Sequence, residues 1–78
     1  MDLKNFLEVN PEICHGKLVF KGTRIMVYLV LELIEAGVDV KEILKDYYPQ
    51  LNANHIKAAI HYAVELTRTG EFIPFAHA

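Results

Sequence analysis

The 78-residue sequence has no tryptophan, a single cysteine, three prolines and four glycines. Cys14 alone forms no internal disulfide, which excludes a stapled secreted mini-protein and makes a reducing compartment the expectation. No Gly/Ser linker, repeat or low-complexity tract is present, and a 53% hydrophobic composition excludes a disordered tail. No uninterrupted apolar run approaches the roughly 18 residues of a membrane helix. The opening MDLKNFLEVN carries Asp2, Lys4 and Glu8 where a secretory signal would be apolar. The expectation is a cytoplasmic protein with no membrane partner. A large charge excess is also missing. Eight Lys plus Arg against ten Asp plus Glu leave a net charge of -2, which excludes a global basic field for nucleic acid but leaves room for local patches. A chain this short buries only about 60% of its unfolded surface. One thin-cored domain over 1-78, helped by a partner subunit, is the expected organisation.

What is present is punctuation that divides the chain. Residues 1-12 read as irregular, ending at the turn signal Asn10-Pro11. Residues 13-27 carry Val19, Phe20, Thr23, Ile25 and Val27 around Gly16 and Gly22, the pattern of short strands joined at Lys21-Gly22. From 27 to 36, Val27, Val30, Leu31 and Ile34 recur at helical spacing, with Leu29 and Leu33 as a second apolar edge and Gly37 as the cap. Asp39 and Glu42 have capping-box spacing before a short helix over 40-47, whose apolar side is Val40, Ile43, Leu44 and Tyr47. Asn52 caps a third helix over 52-69, with Ile56, Ala59, Ile60, Ala63 and Leu66 or Thr67 facing the core and Gly70 as its stop. The fold class this predicts is mainly α: a trihelical helix-turn-helix domain preceded by a small β-hairpin.

Between Ile13 and Leu31 the charged residues are Lys17, Lys21 and Arg24, all basic. On a hairpin they form an edge for phosphate or carboxylate. They equally suit a solvated edge, or an Arg24 ion pair to Glu12 or Glu32 that seats the hairpin on the first helix. In a helix-turn-helix the start of the third helix faces base edges, which selects Asn52, Asn54, His55 and Lys57 as DNA-binding candidates beside Lys17, Lys21 and Arg24. The same residues also make an ordinary solvated helix start. After Gly70, Phe72, Ile73 and Phe75 in the tail 71-78 either fold back over the domain or dock on a partner, which with Arg24 makes them partner-binding candidates.

Catalysis finds no support in the pattern. Cys14-His15 are adjacent, His55 and His61 are six apart, and no Cys-x-x-Cys or His-x-x-x-His spacing occurs, so no metal is expected. Gly16 and Gly22 do not precede a helix with phosphate-loop spacing. His61 and Glu65 read as a polar i,i+4 pair without a nucleophile. The expectation is a non-enzyme with no cofactor.

Asn10-Pro11, Ile13, Gly16-Lys17, Val19, Lys21-Gly22-Thr23-Arg24-Ile25, Val27, Leu33, Gly37, Ile43-Leu44, Tyr48-Pro49, Leu51, Ile56, Ala59-Ile60 and Tyr62-Ala63 together resemble the prokaryotic family called domain of unknown function 433, over roughly residues 6-66. The resemblance implies a homeodomain-like trihelical fold preceded by small strands. It also implies an antitoxin encoded beside a PIN-like, nuclease-type toxin. Leu18 and Met26 stand where the family commonly has proline. His55 stands where an acidic residue is common, on what reads as the exposed start of the third helix. The function expected is therefore the antitoxin of a type II toxin-antitoxin pair, a homodimer binding a PIN-like toxin and operator DNA. The alternatives are a stand-alone DNA-binding regulator and an interaction module without nucleic acid.

Overall fold

The computed structural model describes residues 1-69. The expected helix stop at Gly70 and the tail residues Phe72, Ile73 and Phe75 lie outside them. The chain opens with a 3-10 turn at Leu3–Asn5, capped by the Asp2 carboxylate, and enters strand β1 at Leu7–Val9. A loop leads to strand β2 at Leu18–Phe20, and the two pair antiparallel with Leu7 opposite Phe20 and Val9 opposite Leu18. This corrects the reading of residues 1-12 as irregular and of 13-27 as a self-contained strand pair. The Lys21-Gly22 turn does form. Phe20 N–H donates to Ile25 O at 3.0 Å and Val19 bridges Met26, so the returning segment makes one bridge on the second edge of β2 rather than a strand.

Residue chemistry explains both connections. In the loop, Asn10 Oδ1 accepts from Glu12 N–H at 2.9 Å, an Asx turn reinforced by Pro11. Cys14, His15 and Gly16 then take positive φ of 51°, 58° and 79° in succession. That left-handed turn costs about 1–2 kcal/mol at each non-glycine residue. At the second turn Gly22 has φ 78°, Thr23 Oγ1 donates to Phe20 O at 2.8 Å and accepts from Ile25 N–H at 3.0 Å, and Glu8 Oε2 accepts the Gly22 N–H at 3.0 Å. A carboxylate of β1 thus ties down a turn fourteen residues away.

Helix α1 spans Val27–Glu35 and ends on Gly37 at φ 89°, with Val38 N–H bonded to Leu33 O, the arrangement that satisfies the last carbonyls. Val27 and Val30 are buried, and Leu31, Leu33 and Ile34 pack partly against the core. Asp39 Oδ1 caps α2, Val40–Glu42, by accepting from Lys41 N–H at 2.8 Å, but the reciprocal bond expected of Glu42 does not form among the described residues.

The second helix continues as a π-helical turn over Ile43–Tyr47, closed by Tyr48 N–H to Ile43 O at 2.8 Å. Five residues per hydrogen-bonded step in place of four move the inward position on by one. Tyr48 therefore packs against the core while Tyr47, expected inside, is exposed.

Helix α3 spans Ala53–Arg68 and buries Ile56, Ala58 and Ala59, with Tyr62 packed beside them. Ile60, expected in the core, is 43% exposed, as Val64 is at 42%. The two alanines let α3 approach closely on a face rotated away from Ile60. Val19, Phe20, Val30 and Ile43 are the largest fully buried side chains. The fold is mainly helical, three helices of helix-turn-helix type behind a short antiparallel hairpin, which bears out the fold class read from the sequence.

Candidate interaction site

The start of α3 is built from three elements at once. Asn52 Oδ1 accepts from Asn54 N–H at 2.9 Å and from His55 N–H at 3.3 Å, while His55 Nδ1 accepts from Asn52 N–H at 3.0 Å. This is a capping box in which the imidazole, accepting through Nδ1, takes the position usually held by Glu or Gln. The His55 ring also stands edge-on to Phe6 and Phe20, with centroids 5.6 and 5.7 Å away. His55 is half-buried and fully engaged, which corrects its placement on an exposed reading face; Asn52 is likewise occupied by the cap. Asn54 and Lys57 remain exposed.

Because Phe20 packs on His55 and Lys21 N–H donates to Phe6 O at 2.8 Å, the Gly22-Thr23 turn lies at the N-terminal end of α3. Lys21 and Arg24 flank that turn and are exposed. The Arg24 backbone is held by neighbours on both sides through the Thr23 and Ile25 bonds and by Cys14 Sγ–H on its carbonyl at 3.4 Å. Neither expected ion pair forms. Among the described residues, Lys17, Lys21, Arg24 and Lys57 have no acidic partner; Glu65 pairs with Arg68 at 3.5 Å and stands 3.8 Å from the His61 imidazole. Such exposed pairs on one helix contribute little to stability.

Lys17 is separated from the other basic residues. Its Nζ stands 5.8 Å from the centroid of the Tyr28 ring, a cation-π contact, at the rim of an apolar groove of about 330 Å³. Leu18 of β2, Tyr28 and Leu31 of α1 and Tyr62, Ala63 and Leu66 of α3 line this groove. Phe20 meets the first turn of α3 and Leu18 meets its later turns, so β2 lies along the helix and places Lys17 and Lys21 at opposite ends. The structure thus brings Lys21, Arg24, Asn54 and Lys57 to one end and leaves Lys17 at the other. The groove escaped sequence reasoning, since Leu31, Ala63 and Leu66 read individually as ordinary core positions and nothing local shows that their common face stays open.

Among the described residues no group of three or more His, Cys, Asp or Glu side chains could hold a metal ion, and no helix is long and apolar enough to cross a membrane. No curated protein matches the chain. A crystal structure of a DUF433 member protein from Anabaena variabilis ATCC 29413 is similar, with a TM-score of 0.73 and 31% sequence identity over 86% of this chain. This chain spans 65% of that protein's length. The model of the family described as protein of unknown function (DUF433) matches residues 7–63, including β1, β2, both basic turn residues and α3 through Ala63. With that match over most of its length and a family member sharing its fold, the chain belongs to the DUF433 family.

Proposed function

We propose that this protein is the antitoxin half of a type II toxin-antitoxin pair, a non-catalytic homodimer that binds a PIN-like toxin. The observation that carries the reading is Arg24, an exposed guanidinium on a hydrogen-bonded turn with no acidic partner among the described residues. A planar guanidinium fork matches a carboxylate in two parallel hydrogen bonds, and nuclease metal centres are built on carboxylates. The test is co-expression with the flanking gene and co-purification. Arg24→Ala is expected to leave the urea midpoint within about 0.5 kcal/mol of the parent, since no internal bond is lost. It should weaken the complex at least about tenfold, the cost of one desolvated charge-assisted contact. A destabilised variant, or one of unchanged affinity, overturns this role. Sedimentation of the isolated protein at low micromolar concentration decides the dimer, and a clean 8.9 kDa monomer overturns it.

Operator binding is the second reading, supported by Asn54 and Lys57 lying at the same end as Lys21 and Arg24. Lys57→Ala or Lys21→Ala is expected to weaken all duplexes alike. Asn54→Ala should reduce preference for the promoter sequence by about 1–3 kcal/mol, the value of a bidentate adenine contact. No gel shift below about 10 µM protein at low salt, with or without the partner, removes operator binding, because non-specific contact alone reaches that range.

A further inference from the structure

We infer that the apolar groove between α1, β2 and α3 is a seat for the chain's own segment Phe72-Ile73-Pro74-Phe75, bound within the same molecule. The inference does not depend on the toxin reading. The groove is open and apolar, and Leu66 lines it three residues before the described chain ends at Thr69. The next residues in the sequence are Gly70, Glu71 and this apolar run. Glycine reverses a chain at a helix end without a Cβ penalty. A reversal there followed by a polyproline-type segment, at about 3.1 Å per residue, would be long enough to reach back past Leu66 towards Tyr62, about 6 Å away along the helix.

The sequence around Pro74 also suits this seat. Proline and the residue before it favour polyproline-type geometry with three residues per turn, which puts Phe72 and Phe75 on one side. Two rings on one face suit a cavity of about 330 Å³ walled by Leu31, Ala63 and Leu66. Charge agrees with this placement. Lys17 stands at the rim without an acidic partner among the described residues, and Glu71 is the first charged residue after α3.

The experiment uses the full chain as an equal mixture of ¹³C-labelled and unlabelled protein, with isotope-filtered nuclear Overhauser spectra that separate contacts within a molecule from contacts between molecules. The expected result is contact from the Phe72 and Phe75 rings to the Leu31 and Ala63 methyls within one molecule. Contacts found only between molecules, only when a co-purified partner is added, or not at all overturn the inference. In the double variant Phe72→Ser, Phe75→Ser, amide exchange over Tyr62 to Arg68 should accelerate about tenfold while the α3 cap amides stay as they were. Unchanged exchange across α3 overturns it as well.

Discussion

Replacing Phe20 by alanine is expected to remove about 3–5 kcal/mol of folding free energy, enough to leave much of the chain unfolded at ambient temperature. Phe20 is fully buried at the end of β2, with a backbone bonded to Ile25 and Thr23 and a ring against His55. Its removal opens a cavity where hairpin, α1 and α3 meet, and it takes away an edge-on ring contact worth about 0.5–1.5 kcal/mol beyond its area. A domain of this size has a total of about 4–12 kcal/mol to lose. Urea unfolding followed by far-ultraviolet circular dichroism measures the change. A loss below about 1.5 kcal/mol would mean that the hairpin is an appendage on the three helices.

His55 gives the second large effect, and three variants separate its two roles. In His55→Ala the Asn52 N–H loses its acceptor and Phe6 and Phe20 lose a common neighbour, so about 2–3 kcal/mol is expected from cap and ring contact together. His55→Gln restores an acceptor at the third helical position and should recover about 1 kcal/mol of that loss. His55→Glu supplies the acceptor too, but sets a carboxylate against two rings and should recover less. Amide exchange at Asn54 to Ile56 reads the cap directly. Equal stability of the alanine and glutamine variants would show that ring packing alone matters, and the capping role would be withdrawn. None of the three should change preference for a promoter sequence if the ring's work is internal.

The two experiments bear on function through the same joint. Phe6, Phe20 and His55 connect the hairpin to the N-terminal end of α3, which is how Lys21 and Arg24 come to share an end of the molecule with Asn54 and Lys57. If the proposed toxin binds there, loosening that joint by His55→Ala should weaken the complex even where the fold survives, whereas Arg24→Ala should weaken it with little change in stability.

The amino-acid sequence by itself determined the features whose causes are local. Apolar spacing set α1 and α3, Asp39 and Asn52 supplied caps through bonds two or three residues long, and Gly37 ended α1 because glycine takes positive φ without penalty. The family resemblance was legible for the same reason, since Gly22-Thr23-Arg24-Ile25 is a turn whose bonds are almost all within five residues. Of the candidate site, the exposed residues Lys21, Arg24, Asn54 and Lys57 could be named but not gathered.

Tertiary structure decided what depends on contacts distant in sequence. The partner of β2 is Leu7–Val9, and a three-residue strand carries too short an alternation to announce itself or its register before it pairs. The π-helical turn exchanged Tyr47 for Tyr48, and the close seat of Ala58 and Ala59 turned Ile60 outward, both shifts of one residue that periodicity cannot resolve. His55 read as an exposed polar residue because its ring partners, Phe6 and Phe20, lie 49 and 35 positions earlier in the chain. Local propensity selects which elements form; the rotation of a helix about its axis and the pairing of a strand are chosen only when several elements bury a common core, and here that choice opened the groove and placed the cationic turn beside α3.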